Sequence, residues 1–213
     1  MSDSKHSGPI PPLPEKIVLP NIAVTRKEMG SFQVPPTPTF YYAGIQSLWL
    51  WYKVPLATLR AYLNPLEMTP YDFGGTGAVN INFFNAAAMY GMGQPGNQGI
   101  GGFNETEVNI VGYASKVAHT VQQGLTLEQF LTLGDVTKRI GNYRVWVACD
   151  DAIAVAAGRQ VFMENKFLTP YTYNVPSLNN QKASPGQFTW DWQCMDPTVA
   201  KETIYGTTVN LDG

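Results

Sequence analysis

The sequence predicts a mainly β or α+β fold, on three observations. Glycine (20) and proline (16) are abundant and aromatic residues reach 12%, a mixture that suits strands joined by turns better than a helical bundle. Runs of β-forming residues recur along the chain. Only two short stretches carry helix-start signals. With 213 residues and 44% apolar content, the chain can bury one substantial core.

The elements follow in order. Residues 1–39 are expected to be a Pro-rich N-terminal arm, partly disordered. Its first sixteen residues are polar and proline-containing, and QVPPTPT at 33–39 is too proline-dense for a central strand or helix. Residues 40–213 are expected to form a single domain. SLWLWYK at 47–53 reads as a strand. Pro55 at the first helical position and leucines at 56, 59 and 63 mark a short amphipathic helix, stopped at Asn64-Pro65. AVNINFF at 78–84 alternates as a half-buried strand should. A glycine-rich loop is expected over 91–102, then a strand over 108–117. Thr126 and Gln129 form a capping-box pattern that opens a helix. YRVWVAC at 143–149 reads as a strand, AIAVAAG at 152–158 as a small, tightly packed apolar segment, and 188–192 and 203–209 as short strands.

Composition excludes several function classes. A formal charge of −2 with scattered Lys and Arg does not fit a nucleic-acid binder. No apolar run reaches the roughly 18–20 residues of a membrane span, and the N-terminus lacks the hydrophobic region of a secretory signal. The two cysteines, Cys149 and Cys194, make neither a disulfide framework nor a zinc-ligand spacing. A cytoplasmic location is therefore the default expectation. Charged residues are only 14% of the chain, which suits a subunit of a homo-oligomer that covers much of its surface.

Three motifs are explained without special chemistry. Gly91-Met92-Gly93-Gln94-Pro95-Gly96 is a superficial GxGxxG, but proline interrupts it and no helix follows. His119, the one histidine outside the arm, cannot build a metal site or a triad alone. Asp150-Asp151 fits a strand-ending turn.

The unusual stretch is 150–167, DDAIAVAAGRQVFMENKF. Small apolar residues run into Gly158-Arg159, and Lys166 then stands between the aromatics Phe162 and Phe167. A lysine desolvated there would lose preference for its charged form, and a neutral amine attacks carbonyls. The plain alternative is a snorkelling lysine with its head in water.

This stretch resembles the signature of acetoacetate decarboxylases, in which Gly-Arg-Glu is followed by Pro-Lys-Lys. Gly158-Arg159-Gln160 matches the first element, and Lys166 falls on the first lysine, the family's Schiff-base residue. The register continues upstream through Gly141-Asn142-Tyr143 and Asp150, and Phe103-Asn104-Glu105 is similar to the family's Tyr-x-Glu. The resemblance runs from about 47 to 169. It implies an antiparallel β-barrel with a few short helices, and no metal or organic cofactor.

It also implies a lyase, decarboxylase-like, acting on a small β-keto or 2-oxo acid. Lys166 would be the nucleophile and Glu105 the acid/base, with Glu107 as rival because a slip of two residues keeps strand phase. Arg159 would orient the loop or the substrate carboxylate, and Asn82, Phe162 and Phe167 would line the pocket.

The departures are specific. Phe167 replaces the family's second lysine, Asn165 its proline, Asn82 a glutamate, and the position of a family arginine falls near Ile45. They leave open an aldolase-dehydratase or cyclase relative, a small-molecule binder without catalysis, and an oligomeric structural member. Family members also continue beyond where this chain stops at Gly213, which implies a fragment or a barrel closed by a partner chain.

Overall fold

The structure, a computed structural model, describes residues 39–91, 98–176, 189–196 and 202–211. The arm expected over 1–39 lies outside these, save Thr39.

Strand alternation organises the fold. A large sheet runs β1 (Thr39–Pro55), β3 (Thr76–Gly91), β4 (Gln98–Ala114), β5 (Gly141–Cys149) and β6 (Lys166–Leu168), with β2 (Met68–Pro70) pairing off the path with β4. All its pairs are antiparallel except β5–β6. A parallel neighbour needs a crossover, and α3 (Ala152–Val161) supplies it. A second sheet, β7 (Tyr171–Asn174), β8 (Thr189–Met195) and β9 (Thr203–Asn210), is antiparallel throughout.

The second sheet covers one face of the first. Phe83 and Ile81 of β3 meet Trp190 and Trp192 of β8, while Trp146, Ala148 and Phe167 meet Cys194, Ile204 and Tyr205. Polar bonds pin this contact at Thr106 of β4. Its hydroxyl accepts the Trp192 indole N–H at 2.9 Å and lies 3.1 Å from the Tyr171 hydroxyl, which donates to the Ala148 carbonyl at 2.9 Å. On the opposite face, α3 lays Ala154 and Val155 over Phe84, Ala86, Phe103 and Cys149. Asp151 starts α3 by accepting from the Ala154 amide at 2.8 Å.

Several expectations are met and others corrected. Thr126 and Gln129 form both bonds of the capping box, opening α2 (Leu127–Leu133). The short helix after Pro55 is α1 (Leu56–Arg60), although Pro55 caps it rather than lying within it. The stretch at 152–158 is helical, because small residues let α3 sit close on the sheet. The glycine-rich loop is shorter than expected. Residues 98–102 continue β4, pairing with 87–90 past a bulge, because ladder bonds use backbone alone. Residues 92–97 lie outside the described residues.

The closed barrel is not what the described residues form. The large sheet keeps two open edges, β1 and β6, and β6 is only three residues long. No helix of the described residues is long and apolar enough to cross a membrane.

Thr106→Val keeps the shape but leaves the Trp192 N–H without its acceptor. The expected loss is about 1–3 kcal/mol, read as a lower denaturant midpoint at unchanged slope.

Candidate functional site

The site lies on the α3 side of the large sheet, and pairing in register assembles it. Glu107 stands opposite Asn82 on β3 and Val147 on β5, and Val147 stands opposite Lys166 on β6. Glu105 stands two pairs further along, opposite Phe84 and Cys149. Side chains of paired residues share a face, so one face receives Lys166, Glu105, Glu107 and Asn82.

Buried carboxylates need cations or donors, and each of these has them. The Lys166 ammonium bonds Glu105 Oε2 and lies 3.7 Å from Glu164 Oε2. Arg144 binds Glu107 Oε1 through Nε at 2.8 Å and Glu164 Oε1 through Nη1. Glu107 also accepts from the Asn109 and Asn82 amides, at 3.2 and 3.4 Å. Three carboxylates thus share two cations in one connected network. The side chains of Lys166 and Glu105 are 7% and 5% exposed, whereas Arg144 is 45% exposed.

The loop between α3 and β6 is shaped for this network. Met163 takes a left-handed conformation (φ 56°), turning the chain so that the Glu164 amide donates to the Gly158 carbonyl at 3.0 Å. Gly158 makes room from the helix side. A Cβ there would stand 2.5 Å from Lys166 Cδ and 2.6 Å from Glu164 Oε2. Arg159 donates through Nε to the Lys166 backbone carbonyl.

Electrostatics separate the members. Burial raises the Glu105 carboxyl to about 7, against the lowering pull of the Lys166 ammonium. Burial alone would push Lys166 down. The attraction of Glu105, with Glu164 adding to it, outweighs burial, so the lysine lies above its ordinary value. The expected depression of the Lys166 pKa by flanking aromatics is therefore corrected. Phe162 is 54% exposed at the end of α3, and Phe167 points to the other face, against Trp146. Consecutive strand residues alternate, so Phe167 cannot share the pocket of Lys166.

A cavity of about 520 Å³ opens on this face, lined by Ile45, Ser47, Trp49, Asn82, Phe84, Glu107, Asn142 and Arg144. Asn82 is one of the residues in its wall. Lys166 and Glu105 are not among these lining residues, and ion pairs through Glu164 connect Lys166 to Arg144, which is. Arg159 touches the backbone of Lys166 and is not among the lining residues. Sequence reasoning missed Arg144. The signal for Arg144 was a lone arginine within the alternating YRVWVAC strand. A second cavity, about 580 Å³, lies on the opposite face between Leu59, Ile81, Trp146 and Tyr205, and no charged residue lines it. Among the described residues, no group of three or more His, Cys, Asp or Glu could hold a metal.

No protein-family model matches the sequence, and no curated protein does. Solved structures do match. MppR, an enduracididine biosynthesis enzyme complexed with the condensation product of pyruvate and imidazole 4-carboxaldehyde, is 15% identical with a TM-score of 0.56 over 90% of this chain and 62% of its own. An acetoacetate decarboxylase-like enzyme from Sphingomonas wittichii is 14% identical with a TM-score of 0.56, covering 89% and 63%. Acetoacetate decarboxylase from Legionella pneumophila is 13% identical with a TM-score of 0.51, covering 81% and 50%. The chain thus has an acetoacetate decarboxylase-like fold, at identities that mark it as divergent. It spans less than two thirds of the length of these proteins.

Two variants test the network as a physical unit. Gly158→Ala should lose roughly 1–2 kcal/mol of stability, because crowding at Lys166 and Glu164 exceeds the ~1 kcal/mol that alanine adds to a helix. Lys166→Met removes both influences that lower Glu105. A carboxyl raised above its unfolded value of 4.5 stabilises below that pH and loses the contribution as pH rises through its folded value. Stability of Lys166→Met, measured by urea unfolding, should therefore fall more steeply than the parent above about pH 7.

Proposed function

We propose that this chain is a Schiff-base-forming lyase that acts on a small β-keto or 2-oxo acid through Lys166. The observation that carries the reading is the buried bond between Lys166 Nζ and Glu105, joined by a chain of ion pairs to a polar cavity. A nucleophilic amine needs a partner that takes its proton, and Glu105, raised to about 7, is a carboxyl suited to exchange protons near neutrality.

The chemistry balances without a cofactor. Glu105 takes a proton from the Lys166 ammonium, and the freed electron pair of Nζ attacks the ketone carbon. Glu105 returns the proton as the carbinolamine loses its oxygen as water, which leaves an iminium. The iminium accepts the electron pair of the adjacent C–C bond as CO2 departs from a β-keto acid, or of a C–H bond as a proton leaves a 2-oxo acid. Protonation of the enamine and hydrolysis by water regenerate Lys166. Glu107, bound by Arg144 and two asparagine amides, anchors the guanidinium and is the lesser candidate for proton transfer. The reading places a keto acid as partner and a homo-oligomer as the assembled form. Exposed Ile45, Trp49 and Tyr52 on the edge strand β1 support the latter.

One observation favours a second reading, binding without catalysis. The paired carboxylates raise the Lys166 pKa, and Phe167, where the family carries its second lysine, packs against Trp146 instead.

Borohydride trapping decides between them. With pyruvate or acetoacetate, reduction should leave an adduct on Lys166, mapped by mass after digestion and absent from Lys166→Ala. Labelling should rise with pH through about 7, as Glu105 gains the capacity to take the proton. Glu105→Gln should flatten that rise. Absence of adduct with every small keto acid would sink the mechanism and favour the binder.

A further inference from the structure

The cavity has a charge pattern that the mechanism above does not use. Its lining holds one cation, Arg144, and one acid, Glu107. For an anionic ligand entering there, Arg144 is the one positively charged donor in that lining. The guanidinium carries five N–H donors. Nη1 donates to Glu164 and Nε is ion-paired with Glu107, so three N–H groups remain beyond those two ion pairs, on a side chain that is 45% exposed. A planar fork with free donors facing a cavity matches a carboxylate in two parallel bonds.

The two tethers of Arg144 differ in kind. Glu107 is a strand residue and accepts from two asparagines besides. Glu164 belongs to the loop that turns at Met163, and its other oxygen lies 3.7 Å from Lys166 Nζ. The Arg144–Glu164 bond therefore connects the cavity wall to the loop beside the buried lysine.

We propose that Arg144 is the residue that recognises the substrate carboxylate, and that this carboxylate replaces Glu164 on the guanidinium, opening the way from the cavity to Lys166. The inference rests on the Schiff-base reading for its substrate class. Recognition at Arg144 is nevertheless measurable by itself. A keto acid then carries its own key, whereas a neutral ketone of equal size meets a closed latch.

The test exploits the opposite roles of the two latch partners. Propanoate, which has the carboxylate and lacks the ketone, is titrated calorimetrically into the intact protein. Arg144→Gln should weaken its binding roughly ten- to hundredfold, as expected for lost bonds to a charged group. Glu164→Gln should tighten it, because the competing carboxylate is gone. An ion pair that serves only structure would move both variants in the same direction, and that result overturns the proposal, as does unchanged binding in Arg144→Gln or no binding to the parent protein. Borohydride labelling with pyruvate against hydroxyacetone gives the second readout. The parent should prefer pyruvate, and Arg144→Gln should lose most of that preference. Propanoate binding with the opposite shifts in the two variants, but no labelling of Lys166, upholds Arg144 and overturns the Schiff-base reading instead.

Discussion

Two glutamates stand two positions apart on the central strand of a sheet, both facing inward, and neither can be buried there without positive charge nearby. That constraint organises one side of this molecule. β5 contributes Arg144 to Glu107, and β6 contributes Lys166 to Glu105. Glu164 then joins the two cations from the loop between α3 and β6. Replacing any member leaves an uncompensated charge or donor in a dry setting, the most expensive defect a small core can carry. The crossover α3 exists in the only place that lets β6 run parallel beside β5 and bring the lysine in.

The two faces of the same sheet have separate tasks. Thr106, between the glutamates, points away from them and ties β4 to Trp192 and Tyr171 of the second sheet. The face that meets the stacked tryptophans of β8 holds the sheets together, and its cavity is lined without charge. The face under α3 gathers five charged groups and the asparagines. Apolar packing and buried charge are thus divided by the period of two in strand side chains. Small residues in α3 let the helix approach closely, and Gly158 leaves the volume that the stem of Lys166 occupies.

A lysine held as an ammonium by carboxylates differs from one made neutral by apolar walls. Here, activation would come through proton transfer to Glu105, not from a permanently depressed pKa. A buried pair whose proton can sit on either partner is poised for chemistry that both consumes and returns a proton. Under the proposed mechanism, the pairing would also hold the nitrogen in position before a carbonyl arrives, lowering the ordering cost of attack.

The sequence by itself determined the strand-rich character, the helix begun by Thr126 and Gln129, and the strands at the Trp49, Asn82 and Val147 positions. Those features are local: they follow from side-chain period, capping chemistry and composition within a few residues. Tertiary structure decided the rest. Phe167 and Phe162 adjoin Lys166 along the chain, yet one turned to the other face and the other outward, because strand alternation and helix ending override proximity in sequence. Arg144 became a cavity wall and Glu164 a bridge only when β5, β6 and the Met163 turn brought distant residues into register. The open edges of the large sheet were likewise invisible, because closure depends on how strands far apart in sequence meet. Charge pairing acts through space, and no pattern along the chain records which cation will stand opposite which carboxylate.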